Sequence, residues 1–347
     1  MRIGILASVG RTLDAFFPEI IDTWRGEGEH VVAAAGTRAE RVDADVIRGL
    51  TQSPSIANLA APRALSLWIA RHRLDVVVTN TATASALVRA TQRSVPIVYF
   101  CHGLHWSENG PNERVWKGIE SALLSRTRAA IVSNSEDYEW MSARLGHDAV
   151  LTMPFGVGVP IERFPRTPLP RLGSVPLKLA WIGDMTSRKR PALAVEVAKH
   201  LAAAGVEFEL EMVGTGPAVD ALEAQIRELG LTKQILLPGR LESSAVLARS
   251  HALIHTAEWE GLARVTLEAA AIGRNVYGFD VKGVRDAPSV SLARDGDARE
   301  VAAKIISDLR GKSFSHEYPE PDLLTTEKQS LRVLNSLRGW VNNVGNE

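Results

Sequence analysis

Short apolar runs alternate with stretches of helical period along almost the whole of this 347-residue chain, and one interruption divides them into two sets. The first set predicts strands at Arg2–Ala7, His30–Ala34, Asp75–Asn80, Pro96–His102, Ala129–Asn134 and Leu151–Pro154. Helices are predicted between them near Thr12–Glu27, Pro62–Arg73, Ala82–Gln92, Asn112–Arg126 and Glu136–Leu145. From Gly156 to Pro176 the period is lost and Pro160, Pro165, Pro168, Pro170 and Pro176 follow one another, which reads as a linker. The rhythm then resumes with strands at Lys178–Ile182, Glu207–Val213, Gln234–Leu237, Ala252–Thr256 and Asn275–Phe279, again with helical stretches between them. Parallel strands need a crossover, usually a helix, so this order predicts an α/β chain of two doubly wound, Rossmann-like domains. Expected limits are 1–165 and 166–321, with a final helix over 322–347 that could cross back to the first domain. In open sheets of this kind, ligands collect beyond the carboxyl ends of the strands.

The most informative single stretch runs from Glu258 to Phe279, EWEGLARVTLEAAAIGRNVYGF. Leu262, Val265, Leu267 and Ala269–Ala271 carry a helical period, and Gly273 stands where a left-handed C-cap glycine is expected. Were the whole segment helical, Glu260 and Glu268 would stand roughly 12 Å apart on nearly the same face. Gly261 precedes the helix, so a helix N-terminus lies between the two acids, and its free N–H groups at Gly261, Leu262, Ala263 and Arg264 form an anion site. An acid at each end and an anion hole between them suit a ligand built as polyhydroxyl, phosphate, polyhydroxyl, which is the layout of a nucleotide-diphosphate sugar. The plainer alternative is two solvated acids on an amphipathic helix.

The totals narrow the class. Lys+Arg and Asp+Glu are both 40, so the formal net charge is zero and bulk attraction to nucleic acid is not expected. Cys101 is the single cysteine, so no intrachain disulfide can form and a reducing cytoplasm is expected. MRIGILASVG enters a strand at once rather than reading as a signal peptide, and no run of about 18 apolar residues follows. A chain that is soluble or peripheral to a membrane is the expectation.

Several other strand ends carry chemistry-bearing residues. Gly10 follows the first strand, where a lone glycine reads as a turn. PIVYFCHGLHWS (Pro96–Ser107) ends a strand with His102 and His105, which either close the strand or form half of a metal site lacking a third ligand. WIGDMTSRKRP (Trp181–Pro191) sets Gly183 before Arg188, Lys189 and Arg190, either a solvated basic patch or a neutraliser of phosphate. MVGTGP (Met212–Pro217) places Gly214 and Gly216 after a strand but lacks the third glycine of a dinucleotide fingerprint. Asp43-Ala-Asp45 has the spelling of a metal-binding DxD, before the wrong strand, and is read as coincidence.

The Glu258–Phe279 stretch resembles the EGLPxVLxEAMAxGxPVV signature of retaining glycosyltransferases of family 4, which have the GT-B fold of two Rossmann-like domains facing across a cleft. His102 to Ser107 resembles the HGFHF element of enzymes that extend lipid-linked saccharides, while SNSEDYEWM, PFGVGVPIERF, MVGTGP and LPGRLE resemble further family elements. Pro160 stands where the family usually has Asp, and Asp184 where many members carry Arg. The resemblance implies that Glu260 binds donor-sugar hydroxyls, that Lys189 and Arg188 contact the diphosphate, and that Glu268 binds the ribose. It also implies that His102 faces the donor sugar, with His105 and Trp106 nearer the acceptor. Backbone at Leu262 and Ala263 would hold phosphate, Arg240 and Leu241 the nucleobase, and Gly10, Gly183, Gly214 and Gly261 would border the donor. Gly283 and Arg285 are expected near the site.

The function expected is transfer of a hexose or N-acetylhexosamine, with retention, from a UDP-sugar to a saccharide or polyprenyl-diphosphate-linked acceptor at the inner membrane face. No cofactor and no metal are implied, because Lys189, Arg188 and a helix dipole can supply positive charge. The alternatives are a UDP-N-acetylhexosamine epimerase of GT-B fold, a nucleotide-sugar-binding protein without turnover, and a dehydrogenase.

Overall fold

The computed structural model describes residues 1–104, 106, 112–173, 176–312, 314 and 318–342. His105, expected near an acceptor, lies outside the described residues. The chain forms two compact units, Met1–Gly158 with Thr326–Glu347, and Val159–Thr325.

In the first unit, β1 (Arg2–Ala7), β2 (His30–Ala35), β3 (Ala44–Val46), β4 (Val76–Thr79), β5 (Ile97–Phe100), β6 (Ala129–Val132) and β7 (Val150–Thr152) form a parallel sheet in the order 3-2-1-4-5-6-7. Helices α1 (Gly10–Phe16), α2 (Pro18–Gly26), α3 (Ala61–His72), α4 (Ala82–Thr91), α5 (Glu113–Leu124) and α6 (Ser135–Leu145) make the crossovers. Helix was expected without a break over Thr12–Glu27. Pro18 divides it, having no N–H to donate and a ring that clashes with a preceding carbonyl. β3 was not expected at all: it is a short edge strand whose Asp45 accepts from His72 at 2.8 Å and Trp68 at 3.2 Å, so half of the Asp43–Asp45 motif has a structural task.

The second unit repeats the plan. β8 (Leu177–Ile182), β9 (Phe208–Val213), β10 (Ile235–Gly239), β11 (Ala252–His255), β12 (Asn275–Phe279) and β13 (Val290–Ala293) form a parallel sheet ordered 10-9-8-11-12-13. Its helices are α7 (Pro191–Ala203), α8 (Val219–Glu228), α9 (Ser243–Arg249), α10 (Arg264–Ile272) and α11 (Ala298–Gly311). The last helix, α12 (Thr326–Asn342), belongs to the first unit, where it buries Val333, Leu334, Leu337 and Trp340 in one core with Phe17, Ile21 and Trp24.

The units divide at Gly158/Val159 and Thr325/Thr326 rather than at 165/166 and 321/322. Val159 donates its N–H to the Leu324 carbonyl at 2.8 Å and bridges Thr325, so both passages of the chain are tied together inside the second unit. Among the described residues, no helix is long and apolar enough to cross a membrane.

Candidate active site

The carboxyl ends of β8, β9 and β10 in the second unit border a cavity of about 930 Å³. Gly183, Asp184, Lys189, Gly214, Arg240, Leu241, Glu242, Ser243, Arg264, Val265 and Glu268 line it, beside Ile182 and Val213. Its floor is backbone. Gly214 has φ +144°, a region almost closed to residues with a Cβ, and a Cβ there would come within 1.9 Å of the Gly183 carbonyl oxygen. The absence of a side chain at Gly214 therefore lets the end of β9 lie against the end of β8 at Gly183.

Glu260 precedes the helix that carries Glu268, as Gly261 between them indicates, and is not helical. Ala263 is extended (φ −74°, ψ 96°) and α10 begins only at Arg264, with Gly273 capping its other end in the left-handed conformation (φ 86°). The Glu260 N–H donates to the Lys282 carbonyl at 3.0 Å, and Gly283 packs so tightly that a Cβ would sit 2.2 Å from the Glu260 carbonyl oxygen. The anion site of the helix start moves with it: Arg264 and Val265 line the cavity, whereas Gly261, Leu262 and Ala263 do not. Arg285 pairs with Asp280 at 2.7 Å instead of reaching inward.

Glu260 is 7% exposed and sits between two cations. Its Oε1 accepts from Lys189 Nζ, and its Oε2 accepts from Arg188 at 2.9 Å, while Arg188 also donates to the Trp259 carbonyl and lies over the Trp259 ring. Burial opposes ionisation here, but Lys189 and Arg188 overcome it and hold Glu260 below the usual carboxylate range. Arg190, third of the row of cations, has a different task. It bonds the carbonyls of Thr256 and Ala257 and pairs with Asp295 at 2.5 Å, fixing its own left-handed backbone (φ 46°) at the start of α7. Glu268 faces Arg264 at 3.6 Å, and burial outweighs Ser243 and Arg264 to push its carboxyl above the ordinary value.

The structure thus brings Gly183, Lys189, Gly214, Arg240, Leu241 and Glu268 to one cavity, with Arg188 and Glu260 behind Lys189. Ser243 and Val265 had no signal in the sequence beyond their helical placement. Gly10 and His102 lie in the first unit. A Cβ on Gly10 would fall 2.2 Å from the Arg38 carbonyl oxygen, so its glycine is required for packing. His102 is stacked between Phe100 (4.7 Å) and Phe16 (5.4 Å), and burial lowers its pKa to about 4, so its imidazole is neutral at physiological pH. Trp106 packs on Trp140, and burial pushes the Cys101 thiol up.

Residues 21–183 match the Glycosyltransferase Family 4 profile, and residues 174–314, which contain the cavity, match Glycosyl transferases group 1. The 2-deoxystreptamine glucosyltransferase of Streptomyces kanamyceticus is 30% identical over 135 residues, covering 37% of this chain and 35% of the relative. The putative colanic acid biosynthesis glycosyltransferase WcaL of Salmonella typhimurium is 25% identical over 162 residues, covering 43% and 40%. The chain therefore spans well under half the length of these curated relatives. Among solved structures, HepE of Anabaena in complex with UDP superposes with a TM-score of 0.75 at 16% identity over the full length of both chains. The apo form of the lipopolysaccharide outer core galactosyltransferase WaaB gives 0.74 at 15% identity, covering 98% and 99%.

Proposed function

We propose that this chain, which belongs to the glycosyltransferases of GT-B fold through its family 4 and group 1 domains, moves a sugar from a nucleotide-diphosphate donor to an acceptor hydroxyl. One observation carries the reading: the cavity sets the Lys189 ammonium and a glycine floor beside Glu268 and the start of α10, with a buried carboxylate, Glu260, holding that ammonium. The diphosphate lies on the Gly183–Gly214 floor and draws Lys189 and Arg188 away from Glu260. Arg264 and the first N–H groups of α10 add positive potential. Glu268 takes the ribose hydroxyls, and backbone at Arg240 and Leu241 meets the base. Glu260, released from its cations, accepts hydrogen bonds from donor-sugar hydroxyls.

The donor is a UDP-sugar in this reading, supported by the UDP complex of HepE. Transfer proceeds with retention. The bond from the anomeric carbon to the phosphate oxygen breaks, the bond to the acceptor oxygen forms on the same face, and the acceptor proton passes to the departing phosphate. No metal is required, since Lys189 and Arg188 balance the charge of the leaving group.

Thermal unfolding with UDP, GDP, ADP, NAD and a set of UDP-hexoses tests this. A nucleotide at a hundred times its dissociation constant adds about 2.7 kcal/mol of stability. UDP is expected to raise the midpoint and NAD to leave it unchanged. A shift with NAD alone would overturn the reading.

The acceptor is a lipid-linked saccharide met at a membrane surface. Support for this comes from α5, on which Val115, Trp116 and Ile119 are exposed on one side and Arg114 is also exposed. Trp116→Ser is expected to lower co-sedimentation with anionic phospholipid vesicles several-fold without changing UDP affinity, and equal recovery of both proteins would remove the membrane contact from the proposal.

A further inference from the structure

The last residue of β11 has no part in the mechanism above. His255 is 4% exposed, and neither of its ring nitrogens has a hydrogen-bond partner. A buried polar group left in this way is penalised, and such groups are uncommon enough in native proteins to require a reason. Its Nε2 points to one neighbour in particular. It stands 3.7 Å from Oε1 of Glu260, the oxygen that accepts from Lys189. That separation is too long for a hydrogen bond, and closing it by about 0.8 Å makes one.

Lys189 holds that oxygen in place, and its release leaves the Glu260 carboxyl free to turn about its terminal bond. We propose that His255 is a positioning residue, the hydrogen-bond donor to which Glu260 turns when a nucleoside diphosphate draws Lys189 and Arg188 away. The inference rests on the reading of the cavity as a nucleotide-diphosphate site. Its physical content is an exchange of partners. A buried carboxylate stripped of its cations with nothing in their place is strongly penalised, and that penalty would oppose the release of Lys189. A fixed third cation would remove the penalty but would bind Glu260 permanently and keep it from the sugar. An imidazole kept neutral does neither: it supplies one N–H, and only when that N–H is needed. Burial and the charges of Lys189, Arg188 and Arg190 favour the neutral form here, with a pKa of about 4 despite the opposing carboxylate of Glu260.

Calorimetric titration of UDP separates this role from packing. The wild type is compared with His255→Leu, His255→Gln, Glu260→Gln, and the double variant Glu260→Gln/His255→Leu. His255→Leu is expected to weaken UDP binding about tenfold, equivalent to about 1.4 kcal/mol, and to lower kcat. His255→Gln, whose amide nitrogen reaches the position of Nε2, should stay within about threefold of the wild type. In the Glu260→Gln background the leucine substitution should have no effect, because no carboxylate remains to be satisfied. Equal affinity of the wild type and His255→Leu overturns the proposal. So does failure of glutamine to rescue, or a leucine penalty that persists without the Glu260 charge, since a packing defect would produce either. Should the leucine variant fail to fold, His255→Phe, closer in shape, takes its place with the same expectations. Absence of UDP binding by the wild type would remove the donor-site reading itself, and this inference with it.

Discussion

Glu260→Gln is expected to reduce turnover by roughly 10²–10³-fold, about 2.7–4 kcal/mol of transition-state stabilisation, while binding UDP more tightly than the wild type. The first effect follows from the proposed contact with the donor sugar. A neutral amide accepts hydrogen bonds more weakly than a carboxylate and offers one oxygen instead of two. The second follows from the pairing in the ligand-free protein. Lys189 and Arg188 are both held by Glu260, so a diphosphate must first compete with that carboxylate for them. With glutamine in its place the two cations lack part of their compensation, and an incoming diphosphate supplies it. A gain of about tenfold in affinity, about 1.4 kcal/mol, is the expected size. Initial rates and calorimetric titration with UDP measure the two quantities. Unchanged turnover would remove Glu260 from the mechanism, and weaker UDP binding would mean that it does not compete for Lys189. Lys189→Ala should move UDP affinity in the opposite direction.

The largest expected loss of stability lies away from the cavity. Arg274 is fully buried, and its guanidinium donates to the carbonyls of Leu247, Ala248, Thr167, Pro168, Ile272 and Gly273 at 2.7–3.3 Å. These belong to the ends of α9 and α10 and to the proline-rich approach to β8. Helix ends leave carbonyls without partners inside the helix, and a buried end must find donors elsewhere. One planar group with several N–H donors serves both ends and the approach together. Arg274→Met keeps the length of the side chain and removes every donor; Leu247 and Ile272 keep backbone partners in Ser250 and Thr167, while the other carbonyls lose the guanidinium. About 3–5 kcal/mol should be lost. That corresponds to a fall in the unfolding midpoint of roughly 10 °C for a domain of this size, measurable by calorimetry. A fall of less than about 2 °C, on the same scale, would show that water replaces the guanidinium without penalty.

The alternation of strand and helix was legible because strands buried on both faces are written as continuous apolar runs, such as Val76–Thr79 and Ala252–His255. β3 and β13 escaped notice because edge strands are short and need not be apolar, so Ala44–Val46 reads as a turn next to its two acids. The split between α1 and α2 was written in Pro18 and overlooked in favour of the apolar period around it. Lys189, Gly183, Gly214 and Glu268 could be nominated from strand ends and a helix, but only on a family resemblance, since glycines and a lysine at such positions also suit ordinary turns.

By itself, then, the sequence determined two α/β units with parallel sheets, the proline-rich passage between them and the C-cap at Gly273. All of these depend on short-range properties: period, capping and backbone freedom. The tertiary structure alone decided what the residues around the cavity do to one another. Lys282 and Gly283 hold the backbone of Glu260, and its charge is set by Lys189 and Arg188 from another strand end. His255 looks in the sequence like one more residue of a buried strand, yet in the fold it is an unpaired donor beside that carboxylate. Electrostatic coupling and hydrogen bonding depend on distance in space, and the two cations that set the charge of Glu260 lie 71 and 72 residues from it along the chain.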